Sequence, residues 1–155
     1  MKSSFNRDRK NILLVEDDQF KQEMIEKVLV NALPEADICK VSSVRQAVAE
    51  LRTTSFDYVI LDMSLPSRPV RPGGAQPISM PAGGIEVLLE LAYDSRSDRV
   101  VIITQYPEIE LNGTAFELPV AKTEIEKIIT VNLLDVLYFE VSSEMWKENL
   151  KRLLR

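Results

Sequence analysis

The sequence contains no histidine. That absence excludes Ser-His-Asp and Cys-His catalysis, any zinc site built on histidine, and a phosphohistidine on this chain. Cysteine is nearly absent too: with Cys39 alone, no intramolecular disulfide can form, and a reducing, cytoplasmic setting is expected. No apolar run approaches the ~20 residues of a membrane span, and no signal peptide precedes the first strand-like segment. Membrane attachment is therefore not expected. Positive charge is in deficit, with a net charge of -5. Neutralising a phosphate backbone needs clustered Lys and Arg, so nucleic acid is not expected as a direct partner. Glycine is scarce, and four of the five glycines (Gly73, Gly74, Gly83 and Gly84) fall in one short stretch.

What is present is an ordinary globular balance, 45% hydrophobic and 28% charged, over 155 residues. That is one domain, of a size that buries roughly 68–70% of its unfolded surface. Residues 1–9 are polar and read as a flexible N-terminus, leaving a single domain over 10–155. Short apolar runs at 11–15, 37–41, 58–61 and 99–104 read as strands covered on both faces. Between them lie helix-spaced segments. Phe20, Met24 and Val28, with Ile25 and Leu29 beside them, mark the first helix. Ser43 with Gln46 forms a capping box for the second, and Ile85, Leu88, Leu89 and Ala92 mark the third. Such alternation predicts a three-layer α/β sandwich around a parallel, doubly wound sheet. Residues 67–83 interrupt it with a Pro/Gly-rich insertion, in which regular structure is not expected.

In a sheet of this kind, ligands bind beyond the carboxyl ends of the strands. Three strands end in polar residues there: Glu16-Asp17-Asp18 after the first, Asp62 after the third, and Thr104 after the fourth. Gathered carboxylates repel one another and call for a cation. Hard oxygen ligands without His or Cys suit Mg²⁺, whose open positions favour a phosphoryl group. The plainer readings are helix capping for Asp17 and Asp18, and a strand-end turn for Asp62.

Leu14-Val15-Glu16-Asp17-Asp18, then Leu61-Asp62-Met63-Ser64-Leu65-Pro66, then Ile102-Ile103-Thr104 resemble the receiver domain of two-component response regulators. The likeness covers roughly residues 10–130, and Gly84-Ile85-Glu86-Val87 resembles the start of that family's third helix. It implies a flavodoxin-like, five-stranded fold and a phosphorelay role. Asp62 would be the phosphoacceptor, taking the group from a partner histidine kinase or phosphotransfer protein and switching binding to a downstream protein. Asp17 and Glu16, with Asp62 and the backbone carbonyl of Ser64, would hold Mg²⁺. Thr104 would bond a phosphoryl oxygen. The chain would be an enzyme only toward its own phosphorylation and dephosphorylation. A stand-alone receiver is expected.

The family also carries a lysine at the end of its fifth strand, and two registers can supply that strand. In the first, residues 116–121 are the strand, Lys122 is the lysine, Thr123 with Glu126 caps a helix, and 133–155 form an added strand and helix. In the second, residues 136–140 are the fifth strand, and Phe139 or Glu140 falls where the lysine belongs. The first is preferred because it provides the lysine. Under it, Pro119 takes the place of the family's switch aromatic. Gln105 stands where a small residue is usual, and 106–115 is poor in helix-spaced apolar residues. These departures support an alternative, a receiver-like interaction module that works without phosphorylation. A small Mg²⁺-dependent phosphohydrolase ranks last.

Overall fold

The structure is a computed structural model and describes residues 9–68, 79–80 and 83–155. Most of the Pro/Gly insertion and the first eight residues lie outside these. The chain runs β1 (Asn11–Val15), α1 (Gln19–Ala32), β2 (Asp37–Val41), α2 (Val44–Thr53), β3 (Tyr58–Leu61), β4 (Leu65–Pro66), β5 (Ser79–Met80) and α3 (Gly83–Tyr93). It continues through β6 (Arg99–Thr104), β7 (Glu108–Leu111), β8 (Thr114–Glu117), α4 (Leu118–Ile128), β9 (Asn132–Tyr138) and α5 (Met145–Leu153). Five strands form one parallel sheet in the order β2-β1-β3-β6-β9.

The strands are apolar throughout because both faces are covered. Successive side chains leave opposite faces, so each strand feeds two cores. Leu13, Val15, Val59, Leu61, Val100 and Ile102 pack with α2, α3 and α4. Ile12, Leu14, Ile60, Val101, Ile103 and Leu137 pack with α1 and α5. Trp146 anchors α5: it is buried, stacks at a tilt on Phe139 with ring centroids 5.0 Å apart, and donates its indole N–H to the Glu140 carbonyl at 3.0 Å.

Strands β1, β2, β3 and β6 and helices α1 to α3 stand where the sequence places them. The α1 stripe is turned by one residue, since Phe20 is 58% exposed while Lys21, Ile25, Val28 and Leu29 are buried. In α2, Ser43 caps the helix by accepting from the Gln46 amide at 3.2 Å.

The C-terminal third corrects the preferred register. Residues 116–121 are not a core strand: β8 ends at Glu117, and α4 starts at Leu118 with Pro119 in its first turn. Proline fits there because first-turn amides have no helical acceptor to lose. Thr123 therefore lies inside the helix and does not cap it. The fifth strand is β9, which pairs with β6 and brings Tyr138 opposite Thr104. Residues 133–155 are thus the last core strand and helix, not an addition to them. Pro119, on a helix, does not occupy a strand position, so the switch-aromatic assignment falls with the register.

Residues 106–115, poor in helix-spaced apolar residues, run into a hairpin over 108–117. β7 and β8 pair antiparallel around Asn112 and Gly113, at φ 51° and 82°. Two consecutive positive φ values are what a tight two-residue turn between twisted strands requires, and Asn-Gly is the dipeptide that tolerates them best. The hairpin sits between β6 and α4.

Candidate functional site

The ladder itself brings the acidic residues together. The Glu16 amide bonds to the Val41 carbonyl at 3.0 Å, and the Asp62 amide to that of Val15 at 3.1 Å. Each residue therefore sits one step beyond its strand, at neighbouring strand ends. Glu16, Asp17 and Asp62 converge so that one carboxylate oxygen of each lies within 4.8 Å of the others. Glu16 and Asp62 are buried and Asp17 is exposed.

Asp62 is held at the mouth of a sharp turn. Its Oδ1 accepts the Met63 amide at 2.8 Å, and the Ser64 backbone also bonds to its carboxylate. Its Oδ2 is buried and has no hydrogen-bond partner. The turn is packed down by α3, whose Gly84 amide bonds to the Met63 carbonyl at 2.9 Å. A Cβ on Gly84 would lie 2.6 Å from the Asp62 carbonyl oxygen, so only glycine permits this approach. Thr104 is buried at the end of β6 with its Oγ1 accepting the Tyr106 amide at 3.2 Å. It lines, with Met63, Ser64 and the hairpin residues Glu108, Ile109 and Glu110, a cleft of about 380 Å³.

Burial dominates the electrostatics. It pushes the Glu16 carboxyl from its ordinary 4.5 up to about 8, with the charge of Asp62 adding and Lys21 opposing. Burial likewise raises Asp62, against the opposing pull of Lys21. Two carboxylates forced together in low dielectric resist joint ionisation unless cations join them.

One cation is already there, from a position the sequence pattern does not single out as part of the site. Lys21 Nζ lies 2.7 Å from Glu16 Oε2 and 3.3 Å from Asp62 Oδ1. It also donates to the Ile103 carbonyl at 2.8 Å and to Gln105 Oε1 at 3.0 Å. The local sequence explains how it arrives. Asp18 caps α1 by accepting the Lys21 amide at 2.9 Å, and Glu16 Oε1 accepts the Asp18 amide at 3.1 Å. Helical side chains lean toward the N-terminus, so a lysine in the first turn points back over the strand ends. The available signal was its spacing: Lys21 shares the buried stripe of Ile25, Val28 and Leu29.

Lys122 is not brought to the site. It lies on α4, and its ammonium pairs with Glu126 one turn on. The end of β9 instead carries Phe139, whose amide bonds to the Thr104 carbonyl at 2.8 Å. Lys21 Nζ lies 5.7 Å from the centre of the Phe139 ring.

The donor set fits a hard divalent cation. All three convergent groups are carboxyls, the buried Asp62 Oδ2 lacks a hydrogen-bond partner, and three carboxyls face a single ammonium. Glu16, Asp17 and Asp62 would hold such an ion.

A parallel sheet in this order, covered by helices on both faces, is a flavodoxin-like fold. The chain belongs to the response regulator receiver domain family, which it matches over residues 12–135. It is 37% identical over 150 residues to the Detocs response regulatory protein DtcB of Vibrio alginolyticus, covering 93% of this chain and 99% of that protein. Among solved structures it resembles the phosphorylated cyanobacterial phytochrome response regulator RcpA, with a TM-score of 0.64 at 20% identity over 93% of this chain and 90% of the other. It also resembles the receiver domain of the sensor histidine kinase PA1611 of Pseudomonas aeruginosa, with a TM-score of 0.60 at 21% identity over 94% of this chain and 93% of the other. That domain holds a magnesium ion in its active-site cleft. No helix among the described residues is long and apolar enough to cross a membrane.

Proposed function

We propose that this receiver accepts a phosphoryl group on Asp62 in a Mg²⁺-dependent reaction, from the phosphohistidine of a sensor kinase or phosphotransfer protein, and thereby alters its binding to a downstream protein. The observation that carries this reading is the buried Asp62 Oδ2, without a hydrogen-bond partner at the convergence of three carboxylates. The Met63 and Ser64 amides fix the Asp62 carboxylate through backbone bonds, leaving Oδ2 as the attacking atom. The Thr104 hydroxyl, free to rotate, donates to a phosphoryl oxygen. The bound cation supplies neutralisation of the charge on the transferring group. The Ser64 carbonyl would complete the oxygen donors, as in the resemblance. The chain's chemistry is limited to its own phosphorylation and dephosphorylation.

Incubation with Mg²⁺ and acetyl phosphate, read by intact mass, tests this. One phosphate adduct is expected on the wild type, with none on Asp62→Ala and none when EDTA replaces Mg²⁺. A second reading, an interaction module that works without phosphorylation, is favoured by Phe139 in place of a strand-end lysine. It predicts no adduct on any of the three.

A further inference from the structure

We propose that Lys21, delivered from the first turn of α1, is the phosphoryl-binding cation of this receiver, and that Gln105 is a positioning residue for it. The inference rests on the phosphoacceptor reading of Asp62.

Three observations point to it. First, the ammonium is nine-tenths or more buried, with side-chain exposure of 3%, and it touches the nucleophile's own carboxylate at 3.3 Å. A buried ammonium is costly unless its partners compensate, and here its partners are the site. Second, among the described residues no other cation pairs with Asp62, while β9 presents an aromatic ring at its end. Third, Lys21 is gripped from the far side. The Ile103 carbonyl and Gln105 Oε1, both at the end of β6 beside Thr104, accept from it at 2.8 and 3.0 Å. The side chain therefore spans from α1 across the end of β3 to the end of β6. That holds the charge on the rim where the phosphoryl oxygens must lie, between Asp62 and Thr104.

Gln105 thereby has a role for its length: its Oε1 reaches the ammonium and, with the Ile103 carbonyl, holds it on the β6 side. In the reaction, an Asp62 carboxylate oxygen forms the new O–P bond. The donor's bond to phosphorus breaks, P–N in phosphohistidine or P–O in acetyl phosphate, and the leaving group keeps the electron pair. Asp62 exchanges one negative charge for two on the phosphoryl group. Lys21 then exchanges its contact with Asp62 Oδ1 for a phosphoryl oxygen, needing only a small movement.

The test compares phosphorylation rates with acetyl phosphate and, in parallel, Mg²⁺ affinity by calorimetry. For Lys21→Met, the expected result is phosphorylation roughly ten- to a hundredfold slower, the size of one lost charge-assisted hydrogen bond. Mg²⁺ affinity should be unchanged or tighter, because a competing cation has gone. Lys21→Arg should recover part of the rate. If Lys21→Met does not fold, Gln105→Leu decides: it keeps the ion pairs and should slow phosphorylation several-fold with Mg²⁺ affinity intact. Wild-type rates in the foldable variants, or a rate loss matched by equal loss of Mg²⁺ affinity, overturn the proposal. A wild type that takes no phosphate overturns the Asp62 reading, and this inference with it; a wild type that does, with indifferent variants, overturns this inference alone.

Discussion

Asp62 has two oxygens in different surroundings. Oδ1 accepts the Met63 amide and faces Lys21, while Oδ2 is buried and has no hydrogen-bond partner. Burial, with the charge of Asp62 adding to it, makes the neighbouring Glu16 hold its proton up to about pH 8. The unfolded chain releases that proton near 4.5, so between about 4.5 and 8 the native state binds a proton that the unfolded state has lost. Stability then falls as pH rises through that window. In metal-free buffer, melting temperature is expected to decline from the acidic to the alkaline side of it, beyond what Glu16→Gln shows, and that variant should give the flatter profile. Thermal melts in EDTA check this. A Glu16→Gln profile as steep as the wild type's would contradict it. At this scale the acids and Thr104 were legible, because strand-end position is written in sequence order. Lys21 was not, because a lysine on a helix reads as solvated until the direction of its side chain is known. Lys122 was misassigned for the converse reason: it follows a plausible strand, but Leu118-Pro119 starts a helix.

Elements set how firmly this pocket is built. The turn after β3 is clamped by α3 through Gly84, where an added Cβ would meet the Asp62 carbonyl at 2.6 Å and Met63 Cα at 2.8 Å. Those atoms are backbone and cannot swing aside. Gly84→Ala is expected to cost about 1–3 kcal/mol by overpacking. It should also displace the Asp62 turn, so urea denaturation and phosphorylation should both register it; a variant as stable and reactive as the parent would contradict the clamp. The hairpin between β6 and α4 shows where element reading stopped. Asn112-Gly113 is a strong turn signal, but the flanking Glu-Ile-Glu-Leu alternation is only four residues long and borders Pro107. So short a run does not declare a strand by itself, and cross-strand pairing with 114–117 makes it one.

For the whole molecule, the decisive question was which segment closes the sheet. Both 116–121 and 136–140 are apolar enough for a strand, and local pattern cannot choose between them. Packing does: only β9 is followed by a helix, α5, that buries Trp146 and Leu150 in the layer shared with α1. The far layer is filled by α4 through Ala121 and Ile125. Removing 133–155 should therefore expose one edge of β6 and the cores on both faces. Such a truncated chain is expected to lose cooperative thermal unfolding by circular dichroism, whereas removal of a mere appendage would leave the transition intact. The five-stranded architecture and the acidic pocket were readable from alternation and strand ends, and the closing strand required the third dimension.

On the proposed function, Asp62 itself receives the phosphoryl group. The most direct test is borohydride reduction of the protein after treatment with Mg²⁺ and acetyl phosphate, followed by peptide sequencing by tandem mass spectrometry. Reduction of an aspartyl phosphate leaves homoserine in its place. Homoserine is expected at position 62 and intact aspartate at position 17. An intact aspartate at position 62, or the label on another carboxylate, would contradict it.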